Sequence, residues 1–398
     1  MKTYRRTLIV ASMNGSVNEL QMAAKDPRLG NRKVLSHGAA TTSFRYYGIE
    51  PDSIVERNSA QTVRQELGGR TSAILTGTQV QDKQNLWTIE QRFWRAVEGR
   101  IRTIAVLDAM DNLKERFAMM TARPDGKIII ARNFELILPT AIAVPSEEIK
   151  QRMVELGFPT DRLYAIGSPG AEYQIQRRDE FLACSAETRR KILAMPAYSS
   201  FFQDENAKLV VWLSDSMNVC PDIGFDEKSV MQEFLGVLDN VAKSTGLKIN
   251  VIVRPHPFRK DDAQKAFDSC TSESGTVRAV LHNPISNSDD KKNFYTMEEL
   301  FAALRTDDIL AGTFNLPIEE ASRSGWPMQK LSFVPEIAEK YKFQQELVDR
   351  GIVSRAINMD MLAQLLNSAL TKGLEQQTDP RVEMHKGALD RLVELCYP

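Results

Sequence analysis

Short apolar runs recur along the whole chain, each followed by a longer segment with helical spacing, and this alternation limits the fold more than any other feature. A parallel strand is buried on both faces and reads as a brief continuous apolar run; the link to its parallel neighbour is usually a helix. The first half offers strands at Thr7–Ala11, Lys33–Ser36, Ala73–Thr76, Thr103–Leu107 and Phe134–Leu138, with Tyr164–Ile166 closing the series. Helical stretches such as Asn18–Ala24 and Leu86–Val97 lie between them. One helix is legible from end to end. Ser146 caps it, Glu147 and Glu148 sit where the helix dipole favours negative charge, and Ile149, Met153 and Leu156 form its apolar stripe before Gly157 and Pro159 end it.

The pattern lapses over residues 171–205, where Arg177, Arg178, Arg189 and Arg190 are spread among mostly polar residues. This reads as a connection holding a helix or two. Leu209–Leu213 then opens a second α/β series, continued by Ile249–Val253, Asp308–Ala311 and Gln329–Phe333. The helix from about Asp226 to Lys243 carries Met231, Phe234, Leu235 and Leu238 on one stripe, and Gly246 is placed to stop it. The expected organisation is one domain over 1–170, the connection over 171–205, a second domain over 206–370 and a helical tail over 371–398. In the tail Met384, Leu389, Leu392, Val393 and Cys396 share a face.

A chain of 398 residues suits two domains, and its 42% hydrophobic and 26% charged residues are those of a globular protein. A formal net charge of −1 argues against a broad nucleic-acid surface, which would need an excess of Lys and Arg. The four cysteines (Cys184, Cys220, Cys270, Cys396) lie far apart with no CxxC pair, which speaks against a zinc site or a disulfide framework and for a reducing compartment. The basic start is followed by Thr7–Ser12, too short for a signal-peptide core, and no run approaches the roughly 20 apolar residues that cross a bilayer. The expectation is a cytoplasmic protein, with room for peripheral contact with a membrane surface.

In a doubly wound sheet the ligand lies beyond the carboxyl ends of the strands, so the loops that follow strands carry the chemistry. Four stand out. Arg254-Pro255-His256-Pro257 follows the strand ending at Val253, and its two prolines stiffen the turn. Its guanidinium and imidazole suit a diphosphate, and His256 could protonate a leaving phosphate oxygen; the plain alternative is a rigid loop with a surface histidine. Thr313-Phe314-Asn315-Leu316-Pro317-Ile318-Glu319-Glu320 follows Gly312, and Pro317 suits a first helical turn whose N–H groups could hold phosphate. Glu320, beside Glu319, falls one turn in, where a carboxylate can accept from both ribose hydroxyls, although acidic residues favour the first turn of any helix.

Ser214 to Asn218, with Ser216, offers short donors to a phosphate or sugar. After Leu107 come Asp108, Asp111, Glu115 and Arg116, where a carboxylate could serve as general base on an acceptor hydroxyl or simply begin a solvated helix. Ser12 to Ser16, with Gly15, and Ser36-His37-Gly38 are further polar loops at the same edge. Other signals are missing from the sequence: no GxGxxG follows the first strand, no GxxxxGK[ST] occurs, no Asp-x-Asp triple is present to hold a metal on a diphosphate, and no Gly-x-Ser-x-Gly appears. No cofactor and no metal are expected.

The order of these features resembles the GT-B superfamily. Strand, His-Pro loop, helix, strand and a small-polar loop leading to Glu319-Glu320-Ala321 and Ser324-Gly325-Trp326-Pro327 is similar to its donor domain. Glu320 stands five residues before Gly325, similar to the ribose-binding glutamate of GT-B glycosyltransferases and to the Glu-Glu-Ala stretch of the UDP-GlcNAc 2-epimerases. Arg254-Pro255-His256-Pro257 resembles the His-Pro element of capsule, polysialic-acid and teichoic-acid transferases. Gly157-Phe158-Pro159 through Ile166-Gly167-Ser168-Pro169 is similar to the passage closing the N-terminal domain in these proteins. Val106-Leu107-Asp108 lies where the epimerases carry an acidic residue, and Glu115-Arg116 is a looser match to a second.

Two departures are plain. The epimerases' Asp-Ser-Gly-Gly reads Thr313-Phe314-Asn315-Leu316, and their early Gly-Asp-Thr reads Gly77-Thr78-Gln79, so one expected acid is absent. The resemblance implies an α/β protein of two Rossmann-like domains facing across a cleft, with a UDP- or CMP-type nucleotide-sugar donor and a glycan acceptor as partners. It implies a metal-independent glycosyltransferase of surface polysaccharide biosynthesis. Asp108 or Glu115 would be its base, Arg254 and His256 would stabilise the leaving diphosphate, and Glu320 would hold the ribose. A nucleotide-sugar 2-epimerase or hydrolase, or a non-catalytic nucleotide-sugar-binding protein, is the alternative.

Overall fold

The computed structural model describes residues 6–67, 71–79, 87–108, 112–118, 120–122, 128–130, 136–195, 207–214, 226–255, 264–265, 267–268, 277–281, 297–313, 316–337 and 344–398. The chain forms two compact units, residues 1–173 with 383–398, and residues 174–382. The strands are β1 (Arg6–Ala11), β2 (Asn31–His37), β3 (Ser53–Val55), β4 (Thr71–Thr76), β5 (Arg102–Val106), β6 (Met120–Ala122), β7 (Ile128–Ile130), β8 (Ala141–Val144) and β9 (Leu163–Ala165) in the first unit. The second has β10 (Lys208–Leu213), β11 (Ile249–Arg254), β12 (Val277–Leu281), β13 (Ile309–Gly312), β14 (Gln329–Phe333) and β15 (Ser354–Ala356).

The first sheet runs β3-β2-β1-β4-β5-β8-β9 and is parallel throughout; β6 and β7 make a separate antiparallel ribbon. The second runs β12-β11-β10-β13-β14-β15, also parallel throughout. Both are doubly wound: strand order reverses once, between β1 and β4 and between β10 and β13. Alternate residues of each strand feed cores on opposite faces. Ile9 and Ala11 join Leu75, Ile104 and Val106 on one face, whereas Leu8 and Val10 join Ile74, Ile89 and Phe93 on the other. In the second unit Val210 and Trp212 pack with Phe234 and Leu238, and Leu209, Val211 and Leu213 with Phe301 and Trp326. That two-sided burial is why these strands read as unbroken apolar runs.

Helix ends follow their local chemistry. Thr88 and Gln91 form a capping box on Ile89–Val97, Asp226 and Ser229 another on Glu227–Thr245, and Gly246 ends the latter in the left-handed region at φ 69°. Ser146 accepts from the Ile149 N–H at the start of Glu147–Glu155. The chain's last helix, Ala388–Cys396, sends Leu392, Leu395 and Cys396 into the core of the first unit beside Ile9 and Ala11. Its start is held by Glu172, whose carboxylate accepts from the Gly387 and Leu389 N–H groups at 2.8 Å each.

The expected strand Phe134–Leu138 is corrected by the structure. Residues 131–135 lie outside the described residues, and Leu136–Leu138 belong to no sheet strand; Leu136 makes one isolated bridge to Ala118. The sheet position beside β5 is taken by β8, four residues that are all buried. Ala141 and Ala143 are buried in the core that also holds Ile104 and Val106 of β5, and Ile142 and Val144 in the core on the other face. The edge strands β3, β12 and β15 were not foreseen.

Within the stretch expected as a connection, Pro169–Leu182 and Ser185–Leu193 are helices, and Arg189 is buried rather than solvated. Its guanidinium pairs with Asp308 and donates to the Ala303 and Ala207 carbonyls at 2.9 Å each, while Asp308 also accepts from the Leu209 and Arg305 N–H groups at 2.7 and 2.8 Å. The two side chains are 4% and 1% exposed. Burial raises the Asp308 carboxyl and the Arg189 charge opposes this. Removing the arginine strands a carboxylate in the core, so Arg189→Met should destabilise the second unit by about 3–5 kcal/mol. Calorimetry on the full chain checks this: one transition should fall and the other stay in place.

Candidate functional site

The reversal point of the first sheet lies between the carboxyl ends of β1 and β4, and polar side chains converge there. Asp108, two residues beyond β5, is the centre. Its Oδ1 accepts from Thr78 Oγ1 at 2.7 Å and from Arg116 Nη1 at 2.8 Å, and its Oδ2 accepts from Ser16 Oγ at 2.8 Å. The Asp108 and Arg116 side chains are 5% and 9% exposed. Burial raises the Asp108 carboxyl above the ordinary aspartate range, opposed by the Arg116 charge and by the Thr78 and Ser16 hydroxyls.

Two glycines make this geometry possible. A Cβ on Gly77 would lie 2.0 Å from Ser16 Oγ, so only glycine lets the β4 loop pass over that serine. A Cβ on Gly15 would lie 3.2 Å from Asp108 Oδ2, so glycine leaves that oxygen uncrowded.

Beside this network lies a second carboxyl. Glu90, in the first turn of Ile89–Val97, is fully buried, and its Oε1 is 2.5 Å from Ser12 Oγ. Ser12 Oγ is also 2.5 Å from Gln79 Oε1. Desolvation raises the Glu90 carboxyl, hydrogen bonds from Ser12, its own backbone N–H and Thr88 lower it, and the negative charge of Asp108 raises it further. Neither Glu90 nor Gln79 stood out in the sequence as a site residue. The available signal was the Thr88-Ile89-Glu90-Gln91 capping box, which fixes where the helix starts and so which glutamate points back at the sheet edge.

In the second unit the reversal point lies between β10 and β13. Ser214, directly after β10, donates from its N–H to the Arg254 carbonyl at 2.9 Å and from Oγ to Glu227 Oε1 at 2.7 Å. Arg254 ends β11, the neighbouring strand. Thr313, directly after β13, is buried, and its carbonyl accepts from Ser332 Oγ at 2.5 Å. The helix Leu316–Arg323 then begins. Glu319 pairs with Arg323 one turn on, and Glu320 is half-buried in the same turn. Gly325 at φ 67° closes the helix, with the Trp326 N–H reaching the Ala321 carbonyl at 3.0 Å.

The expected residues therefore fall into two groups, each at the carboxyl edge of its own sheet. Ser12, Gly15 and Asp108 come together in the first, and Ser214, Arg254, Thr313, Glu319 and Glu320 lie around the second reversal. Glu115 is half-buried and takes no part in the Asp108 network. His37 ends β2, where its Nδ1 donates to the Val55 carbonyl at 2.6 Å. Asp111, Ser216, His256 and Asn315 lie outside the described residues. Among the described residues no helix is long and apolar enough to cross a membrane.

The sequence matches no protein-family model. It matches no curated protein either. Solved structures do match. The UDP-GlcNAc 2-epimerase of Neisseria meningitidis, bound to UDP-GlcNAc, superposes with a TM-score of 0.61 at 13% identity, covering 98% of this chain and 100% of that one. The Anabaena protein HepE, in complex with UDP and glucose, gives 0.50 at 12% identity over 98% and 97% of the two chains. The glycosyltransferase of kitacinnamycin gives 0.50 at 13% identity over 98% and 95%. Two doubly wound parallel sheets, matched over nearly the whole chain by nucleotide-sugar epimerases and glycosyltransferases alike, give this chain the GT-B fold.

Proposed function

We propose that the chain is an enzyme that transfers the glycosyl group of a nucleotide sugar to a glycan acceptor. The observation that supports this reading best is the state of Asp108. A carboxylate oxygen has about two acceptor positions. On Oδ1 both are taken, by Thr78 and Arg116, whereas Ser16 is the one side chain that donates to Oδ2, and the aspartate's own backbone N–H adds to the carboxylate. Gly15 leaves the space beside Oδ2 open. Oδ2 is then the atom that takes the proton from an acceptor hydroxyl as its oxygen bonds to the sugar and the bond to the diphosphate breaks. The proximity of Arg116 keeps the carboxylate oriented, and burial strengthens it as a base.

The second unit holds the donor. Arg254, at the carboxyl edge, offsets the charge that builds on the leaving diphosphate, His256 protonates or supports it, and Glu320 accepts from the ribose hydroxyls. Ser214 and Thr313, directly after β10 and β13, complete the donor contacts together with Ser216 and Asn315, which follow them in sequence. The substrate is a surface polysaccharide or related glycan.

A second reading, nucleotide-sugar 2-epimerisation, is favoured by the higher TM-score with the Neisseria enzyme and by the presence of a second carboxyl, Glu90, near Asp108. Against it, Thr78 stands where those enzymes carry an acid, and here its hydroxyl donates to Asp108 and accepts from Arg116. Incubation with UDP-, CMP- and GDP-sugars separates the two. Turnover that requires a glycan acceptor supports transfer; acceptor-free change at the sugar supports epimerisation; binding without turnover removes both.

Two variants test the roles. Asp108→Asn should lower kcat by roughly 10²–10⁴-fold with little change in KM, as expected for a positioned base. In the wild-type enzyme the base must be deprotonated, so the rate should fall as pH drops through a midpoint above the ordinary aspartate value, because burial raises this carboxyl. Glu320→Ala should do the reverse, weakening donor binding by about 1–3 kcal/mol while chemistry is less affected. Calorimetric titration with the donor and steady-state kinetics read the two effects apart.

A further inference from the structure

The Glu90 carboxyl is the most deeply buried acid at the first reversal point, and with the Gln79 carbonyl turned toward Ser12 its hydrogen bonds do not close if it is charged. Ser12 has one hydroxyl hydrogen, yet its Oγ touches two oxygens, Glu90 Oε1 and Gln79 Oε1. With both as acceptors, one contact would have no hydrogen in it. Among the described residues no cation pairs with Glu90: the charged group acting on it is the Asp108 carboxylate, which itself holds the Arg116 guanidinium. Its Oε2 is buried without a hydrogen-bond partner among the described residues, a costly state for an ion and a tolerable one for an acid. A proton on Glu90 resolves all three facts, giving a chain in which Glu90 donates to Ser12 and Ser12 donates to Gln79.

We propose that Glu90 is an un-ionised carboxylic acid that, through Ser12, fixes the carboxamide of Gln79 with its carbonyl turned inward and its NH2 group presented to the ligand as a hydrogen-bond donor. Glu90 and Ser12 are positioning residues, and Gln79, half-buried on the loop after β4, is the one that meets the ligand. The ligand group it recognises is an oxygen acceptor, a hydroxyl or carbonyl of the sugar. This last step rests on the nucleotide-sugar reading; the protonation of Glu90 and the orientation of Gln79 do not.

The same chain of hydrogen bonds explains why Ser12 and not a bulkier residue follows β1. Only a short hydroxyl both accepts and donates in the same place, so that the neutral acid at one end fixes the amide at the other. An ionised glutamate would take the Ser12 hydrogen for itself and leave the Gln79 amide free to turn over.

The test uses the full chain with Glu90→Gln, Glu90→Leu, Ser12→Ala and Gln79→Ala. A proton kept by the folded protein is one the unfolded chain releases above about pH 4.3. Wild-type stability should therefore fall as pH rises, tenfold in the folding constant per pH unit up to the folded-state pKa. Glu90→Gln lacks that loss. Urea unfolding from about pH 5 to 8 should show the two curves diverging with pH; parallel curves would overturn the un-ionised assignment.

The side-chain amide signal of Gln79 in nitrogen–proton NMR, identified by its loss in Gln79→Ala, should move in Ser12→Ala and Glu90→Leu and return to its place in Glu90→Gln. A signal indifferent to Ser12→Ala would overturn the relay. With a nucleotide sugar that the wild type binds, Gln79→Ala should weaken affinity by roughly tenfold; unchanged affinity removes its ligand role. If the wild type binds no nucleotide sugar, the functional reading fails and Gln79's ligand role with it, while the pH and NMR results still decide the chain from Glu90 to Gln79.

Discussion

Parallel pairing is the constraint on which the rest of this molecule depends. When every strand of a sheet points the same way, every strand ends on the same edge, and the residues just past those ends are brought together whatever their separation in sequence. Ser12, Gln79 and Asp108 are spread over nearly a hundred residues, yet they follow β1, β4 and β5, which are neighbours. The two-sided burial that such a sheet demands keeps polar groups out of the strands. They accumulate where the strands stop. In both units the order of strands reverses once, and there the helices leave the sheet on opposite faces and open room for a ligand.

At the first of these points the chain places two carboxyls in contrasting surroundings. Asp108 is given a guanidinium and two hydroxyls, so its charge is compensated in place. Glu90 is given deeper burial, hydroxyls and a backbone N–H but no countercharge among the described residues, and a negative neighbour, so the neutral form suits it. The difference arises from backbone position. Asp108 sits on a loop that Arg116 can reach, whereas Glu90 sits in the first turn of a helix pressed against the sheet. Environments that separate two acids in this way let one fold present a base and a neutral donor side by side.

Much of the fold was legible in the sequence, and the gaps have a common cause. Central strands such as Leu209–Leu213 and Ile249–Val253 announce themselves because both faces are buried. The edge strands β3, β12 and β15 have one neighbour each, carry Ser53, Arg278 and Arg355, and leave no such run. At β8 the apolar signal pointed to Phe134–Leu138 because larger side chains outweigh alanine, but pairing with β5 is decided by fit and not by hydrophobicity. The same holds at the site. Asp108 was legible because it follows a strand. Glu90 was not, because a glutamate in a first helical turn is ordinary in sequence and unusual only once its burial is known. The role of Arg189 was not legible for a related reason: its neighbours in sequence are polar, and only the fold brings Asp308 to it.

The first unit is assembled from both ends of the sequence: its core is finished by Leu392, Leu395 and Cys396 of the terminal helix, with the second unit lying between in the chain. During synthesis the second unit is therefore fully made while the first still lacks a wall. For the time it takes to translate the intervening two hundred or so residues, at about 5–20 residues per second, the part of this core that Leu392, Leu395 and Cys396 cover is without them. The nascent protein is most vulnerable to chaperone capture and to misassembly at this domain, and emergence of the Ala388–Cys396 helix is the event that makes the domain whole.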